Sequence, residues 1–350
     1  MNDTPWLSAI IPNYNDSRLL PRAISALASQ DPPPAEIIVV DDGSTDDSLT
    51  VIERLRLETP SLKLLRNERN LGVIPTLNRG LAAARGRYVY LGSANDSVAP
   101  GFFAIARRML EAHPDCGFFS AECRIVDGTG REVAVRPPAR PAQRPVCVPP
   151  HRVPALLRRI DNVFPSSSVV LRRAAAEEAG GLDPALISFA DGYLMRAVAL
   201  RHGFCFAPMI GANWTIDTSG ASLTTASRAD IALVVLKTAQ AKMREDPHFP
   251  PSYLDLFEGR WRFGAGRVNA GADRSTLRAL APVVAPGPTE AAAWRLLALV
   301  PGRAGRLVRL VWLTLRFRPF ALSAIAATQF ARLLEKGRTP GQTKDQGDCP

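Results

Sequence analysis

The chain has few residues able to bind a soft metal. Its five cysteines contain no CxxC pair and its four histidines no HExxH arrangement, so neither a zinc site nor a disulfide framework is expected. No GxGxxG follows the first apolar run and no GxxxxGK[ST] occurs anywhere, which counts against a dinucleotide dehydrogenase and a P-loop enzyme. The start of the chain lacks a basic segment leading into an apolar one, so no secretory signal is expected and the chain is placed in the cytoplasm. No stretch reaches the roughly 18 uninterrupted apolar residues of a spanning helix.

Charge is unevenly spread. The net charge is +10, yet residues 1–100 carry 10 Lys/Arg against 12 Asp/Glu, whereas residues 290–338 carry 9 against 2. Basicity is therefore a C-terminal property. It alternates there with apolar rather than polar residues, so nucleic acid is not the expected partner. With 350 residues, 46% hydrophobic and 22% charged, the chain suits one large globular domain with an appendage, or two domains.

What is present is organised around residues 37–46, Ile-Ile-Val-Val-Asp-Asp-Gly-Ser-Thr-Asp. Four β-favouring apolar residues predict a fully buried strand, and the polar cluster after them predicts a turn capping a helix through Ser44 or Thr45. Asp41 and Asp42 then sit at a strand's C-terminal end, where open parallel sheets bind ligands. A turn that uses Asp and Gly only for local bonding leaves Asp41 unexplained.

In chain order, strands are predicted at 6–11, 37–40, 62–65 and 88–91, with helices from about Ser17, after Thr45, and over 75–84. Strict alternation implies crossover connections and an α/β fold with a Rossmann-like, mostly parallel sheet flanked by helices. Strand four leads into the Asn95-Asp96 turn. A carboxylate there faces the same edge as Asp41 and suits a hard divalent cation bridging to a diphosphate, although an Asn-Asp turn before Pro100-Gly101 is an equal reading. A helix and a strand are predicted within 103–125, and 136–154, with seven prolines, is predicted as a loop. A strand follows at 163–171, a helix at 174–179 stopping at Gly180-Gly181, and a helix opening near Asp191.

Together these residues resemble family 2 of the inverting nucleotide-sugar glycosyltransferases, with the A-type glycosyltransferase fold. The matching features are Pro12-Asn13-Tyr14-Asn15, the 37–46 block, Asn70-x-Gly72, Asn78-x-Gly80, Ala84-x-Gly86, Asn95-Asp96 with Pro100, Gly180-Gly181-Leu182-Asp183 and Asp191. They span roughly residues 6–225. The resemblance implies that Asp41 accepts the N3–H of a uracil or thymine, that Tyr14 lies near the base and Pro12 supplies backbone contacts. Asp42 orients the loop or the ribose, and Asn70 and Asn95 complete the nucleotide site. Asp96 matches the last carboxylate of the metal motif for Mn²⁺ or Mg²⁺, though Ser93 and Asn95 stand where further Asp residues are usual. Asp191 matches the general base, despite Ala190 replacing the usual Glu; without the family it reads as a helix N-cap. Arg196 is implied as a partner of Asp191 or of the diphosphate, with a surface helix charge as its plain alternative. Ser219 and Ser222 fall where relatives carry a Ser-rich loop over the diphosphate.

Beyond about residue 228 the resemblance fades. A helix is predicted over 229–245 and a Pro-rich break over 246–253. Over 291–334, residues such as Trp294, Leu307, Val311, Trp312 and Leu315 alternate with Arg303, Arg306, Arg309, Arg316 and Arg318. This suggests a helical region lying on a membrane surface, or packing on the catalytic domain or a second subunit. The expected organisation is a catalytic domain at 1–225, with nucleotide-binding (1–102) and acceptor-binding (103–225) halves, a helical region at 226–336 and a disordered tail at 337–350. The expected activity is transfer of a sugar from a UDP- or dTDP-sugar donor to a hydroxyl of a glycan or lipid-linked acceptor, in cell-surface polysaccharide synthesis. The alternatives are a nucleotide-binding relative that has lost transfer and serves a regulatory or scaffold role, and a nucleotidyltransferase.

Overall fold

A computed structural model describes residues 4–161, 163–215, 225, 228–319 and 321–336. Four β/α units open the chain: β1 (Leu7–Asn13), α1 (Leu20–Ala28), β2 (Glu36–Asp41), α2 (Ser48–Glu58), β3 (Leu62–Arg66), α3 (Val73–Ala83), β4 (Tyr88–Leu91) and, after the short β5 (Ser97–Val98), α4 (Phe102–Ala112). Strands β3-β2-β1-β4 lie side by side and parallel. Every residue of β2 is buried, because both faces of this strand are covered. Ile37 and Val39 join one core with Ile24, Ile52 and Phe102, while Ile38 and Val40 join the other with Leu81 and Leu194. The unbroken apolar run thus reflects a strand that alternates between two interiors.

Past β4 the sheet becomes mixed. It continues through β6 (Phe118–Val126), β7 (Glu132–Arg136), β8 (Val146–Val148), β9 (Val169–Arg172) and β10 (Phe204–Thr215). Strand β9 runs antiparallel to β4 and β6, whereas β10 is parallel to β6. Two sequence expectations are corrected here. The strand expected over 163–171 is confined to Val169–Arg172, because Pro165 has no N–H for a ladder and its carbonyl accepts from Ser168 in a 3₁₀ turn over Ser166–Ser168. The 136–154 segment is not all loop, since β8 pairs antiparallel with β10, Cys147 facing Cys205.

Helices α5 (Val153–Arg159), α6 (Arg173–Glu178) and α7 (Ala190–His202) cover this half. The remainder is helical: α8 (Ala229–Glu245), α9 (Pro251–Val268), α10 (Arg274–Ala279), α11 (Ala281–Val284), α12 (Pro288–Leu297), α13 (Gly302–Phe317) and α14 (Leu322–Lys336). All but α14 share a third core around Trp294, Leu277, Val283 and Leu313. A buried network docks α14 onto the sheet: Arg140 donates to Glu122 at 2.5 Å and to Glu335 at 2.7 Å, and Arg332 pairs with the same Glu122.

The apolar and basic residues of 291–334 do not all face outward. Trp294 is fully buried with its indole N–H donating to Leu277 O, and Arg309 is buried, donating to the carbonyls of Ala270, Leu297 and Val300. Neither is placed to meet a headgroup; burial of the indole and satisfaction of helix-end carbonyls explain both. Leu307, Leu315, Leu322, Phe330 and Leu333 are exposed instead. Among the described residues no single helix is long and apolar enough to cross a membrane, although α13 and α14, bent by 117°, pass that test as a pair.

Candidate active site

The C-terminal ends of β2, β1 and β4 form one edge. Asp41, the last residue of β2, is fully buried; it accepts from Asn13 Nδ2 at 2.9 Å and from the Ser44 amide at 3.2 Å. Asn13 Oδ1 beside it is buried with no partner among the described residues, so this strand end offers one acceptor beyond those already engaged. Asp42 turns the other way. It accepts from Asn67 Nδ2 and from the amides of Leu71 and Gly72 at 2.7–2.9 Å, so its role is to fold the β3–α3 loop against the end of β2. Asn70, exposed, accepts from the Gly72 amide within this loop.

Gly43 allows the close approach. Its φ is +74°, and a Cβ there would lie 2.8 Å from the Arg69 backbone. Gly43→Ala is therefore expected to cost about 1–3 kcal/mol of stability and to weaken nucleotide binding by loosening residues 69–72, measurable by urea titration and calorimetry on one preparation. Unchanged values for both would mean that the loop yields freely.

On the other side of β1, Pro12 is half-buried and Tyr14 exposes 44% of its surface, leaving an aromatic ring open at the strand's end. Asn15, at φ +58°, accepts from the amides of Thr45 and Asp46 and ties the β1–α1 turn to the β2–α2 turn.

Asp96 lies after β4, across β1 from Asp41. It is 6% exposed, with Ser167 Oγ donating to one oxygen at 2.7 Å and the Thr215 amide to the other at 3.1 Å. Burial pushes its carboxyl up to about 6, because these two donors and the charge of Arg22 only partly offset the lost hydration. No cation is ion-paired with it among the described residues. Asn95 is tied down on both sides of its amide: Oδ1 accepts from Ser93 Oγ at 2.5 Å and Nδ2 donates to Thr215 O at 3.4 Å. Sequence reasoning missed Ser167 and Thr215, which lie 71 and 119 residues away in sequence; only the Ser-rich run at 166–168 hints at one of them.

Asp191 occupies the first turn of α7, but Phe189 is the N-cap. The carboxylate accepts only from the Gly192 amide, at 2.6 Å, so one oxygen has no partner among the described residues. Arg196 is corrected: it pairs with neither Asp191 nor an open site. It is buried, donating to Asp161 at 2.5 Å, to Tyr253 Oη at 2.8 Å and to Gly192 O at 2.6 Å, with Phe189 stacked beneath it. Its three nitrogens are spent on joining α7 to α9, which leaves none for a diphosphate. Ser219 and Ser222 lie outside the described residues.

The cysteines, dispersed in sequence, converge in space. The sulfur atoms of Cys116, Cys147 and Cys205 lie within 4.8 Å of one another, at the edge of the sheet opposite to Asp96. Hydrogen bonds from Cys116 and Cys205 hold the Cys147 thiol below its ordinary range.

Comparison with known proteins follows the same outline. Residues 8–139 match the model of glycosyl transferase family 2. An uncharacterized glycosyltransferase of Haemophilus influenzae is 34% identical over 102 residues, 29% of this chain and 32% of that protein. The GalNAc(5)-diNAcBac-PP-undecaprenol beta-1,3-glucosyltransferase of Campylobacter jejuni is 32% identical over 122 residues, 35% of this chain and 39% of that one. The chain thus spans about a third of the length of these relatives. Among solved structures, S. aureus TarS 1-349 in complex with UDP-GlcNAc superposes with a TM-score of 0.58 at 17% identity, over 89% of this chain and 91% of that one, which is a likeness of fold.

Proposed function

We propose that the chain, whose residues 8–139 match the model of glycosyl transferase family 2, moves a sugar from a UDP- or dTDP-sugar to a hydroxyl of a glycan or lipid-linked acceptor, with inversion at the anomeric carbon, in cell-surface polysaccharide synthesis. The observation that carries this reading is the pair of buried carboxylates, Asp41 and Asp96, flanking β1 at one sheet edge, with the exposed Tyr14 just past the end of that strand.

In this reading a pyrimidine lies on Tyr14 with its imide N–H toward Asp41 and the unpartnered Asn13 Oδ1. A carboxylate opposite an imide donor gives a charge-assisted, directional bond. Asp191 takes the proton of the acceptor hydroxyl as its oxygen attacks the anomeric carbon from the side opposite the nucleotide. A single displacement of this kind inverts the centre, and proton removal within hydrogen-bond reach is what it requires of the protein.

The residues present fit a hard divalent cation, Mn²⁺ or Mg²⁺. Asp96 is a buried, unpaired carboxylate, and Ser93 and Asn95 add neutral oxygens, the donor class such ions take together with phosphate oxygens. When bound, the ion supplies positive charge that offsets the negative charge of the departing diphosphate. The exposed leucines of α13 and α14, with the exposed Arg303 and Arg306, support a peripheral position on the cytoplasmic face of a membrane.

Calorimetric titration with UDP, dTDP, GDP and ADP, each with and without Mn²⁺, tests the donor site. UDP or dTDP is expected to bind, and Asp41→Asn to weaken it about 10- to 100-fold through loss of a charged hydrogen bond. Equal affinity for all four nucleotides, or none for any, sinks the donor assignment. Binding without turnover favours the regulatory relative instead.

A further inference from the structure

A cavity of 1430 Å³ lies between strands β6, β7 and β10 on one side and helices α9, α13 and α14 on the other. It exceeds the range of about 300–1,000 Å³ usual for small-ligand pockets. Asp41, Asp96 and Asp191 do not line it, but Ser188 and Phe189, just before Asp191, do. It therefore adjoins the chemistry rather than containing it.

Its wall is both apolar and cationic. Eight arginines line it against four carboxylates. Every carboxylate is engaged: Glu122 with Arg140 and Arg332, Glu132 with Arg124, Asp161 with Arg196 and Arg260, and Glu335 with Arg140. Arg136, Arg267 and Arg318 have no carboxylate partner among the described residues. Arg136 is half-buried, and burial together with the neighbouring Arg267 charge works against its cation. Arg318 ends α13 at φ +41°, a left-handed cap position where glycine is usual. Arg267 and Arg318 are exposed, so of the three only Arg136 is partly desolvated, with the Arg267 charge beside it and no carboxylate opposite, which leaves the site short of an anion. Between them run Met209, Phe257, Trp261, Leu315, Leu322 and Leu333. The last three of these line the cavity at its outer end, where Leu315, Leu322 and Leu333 are 70%, 72% and 68% exposed, so the cavity opens onto the apolar outer face of α13 and α14.

We propose that this cavity is the acceptor site, and that the acceptor is a lipid phosphate or diphosphate whose phosphate lies among Arg136, Arg267 and Arg318 and whose hydrocarbon lies along the leucine-lined mouth. The assignment as an acceptor site rests on the transferase reading above. The chemistry selects this class because neither a free sugar phosphate nor a neutral glycan uses both linings.

The test is titration of the full chain with monodecyl phosphate, decanol and inorganic pyrophosphate, alongside UDP with Mn²⁺, for the wild type and the Arg136→Gln/Arg267→Gln pair. Monodecyl phosphate is expected to bind the wild type at least tenfold more tightly than either control and to lose at least tenfold in the variant, with UDP affinity unchanged, which also shows the variant folded. Pyrophosphate binding as tightly as monodecyl phosphate, or no loss in the variant, overturns the proposal. So does an equal loss of binding to phosphatidylglycerol vesicles without loss of monodecyl phosphate, which would make the arginines a headgroup contact. If the lipid phosphate binds as expected while no nucleotide does, the transferase reading fails and the lipid site stands alone.

Discussion

Asp96→Asn is expected to make the folded chain more stable at neutral pH while removing the proposed transferase activity. Asp96 is 6% exposed, and its carboxyl is pushed up to about 6 from an ordinary 3.8. Between those values the native state holds a proton that the unfolded state has released, so stability falls as pH rises through this window and levels off above it. About two pKa units at roughly 1.4 kcal/mol each put the neutral-pH cost near 3 kcal/mol. Asparagine removes the charge and keeps the shape: its oxygen accepts from the Thr215 amide and its NH₂ donates to Ser167 Oγ, which rotates to accept. Urea titrations from pH 4 to pH 8 should therefore show the two proteins converging near pH 4 and the variant's advantage growing to a plateau above pH 6. Adding Mn²⁺ to the UDP complex should raise the melting temperature of the wild type further and leave that of the variant's UDP complex unmoved. A variant no more stable than the wild type at pH 8 would mean that Asp96 is adequately solvated or paired, and the case for a cation there would weaken. Storing a cost of this kind at a site is the usual relation between stability and function.

The sheet edge that carries Asp41 was legible because its signals are local. The run 37–40 and the turn that follows it occupy ten consecutive residues, and strand–helix alternation places them on a parallel sheet with no long-range information. Asp42 shows where such reading stops: its chemistry suits a ribose, but its three bonds go to Asn67, Leu71 and Gly72, a loop about 25–30 residues on. Arg196 shows the same limit more strongly. The family resemblance implies Asp191 or the diphosphate as partner, whereas the guanidinium meets Asp161 and Tyr253, 35 and 57 residues distant. Cys116, Cys147 and Cys205 have no motif spacing because the antiparallel register of β8 on β10 sets Cys147 against Cys205, while Cys116 comes in just before β6, the strand beside β10. By sequence, residues 254–290 are placed only within the helical region 226–336 with no element assigned, and most of them form α9–α11 around a core shared with Trp294, so their apolar positions answer to several helices at once rather than to one face.

Asp191→Asn is expected to lower kcat by about 100- to 10,000-fold, the range for loss of a positioned general base, with little change elsewhere. The carboxylate makes one hydrogen bond, to the amide of the next residue, and an asparagine oxygen can accept it equally well. What the protein loses structurally is one negative charge in the first turn of α7, worth about 0.3–1 kcal/mol. The UDP affinity should stay within twofold, since Asp41 and Asp96 lie across the sheet edge and share no partner with Asp191. A residue that served only to complement the helix dipole would give the same small stability change and leave kcat untouched, so the two roles separate cleanly in a single variant. Loss of activity with unchanged nucleotide binding and no more than that small stability change assigns the base. Retained turnover moves it to another acceptor, and Asp161 is a poor candidate because its oxygens are held by Arg196, Tyr253 and Arg260.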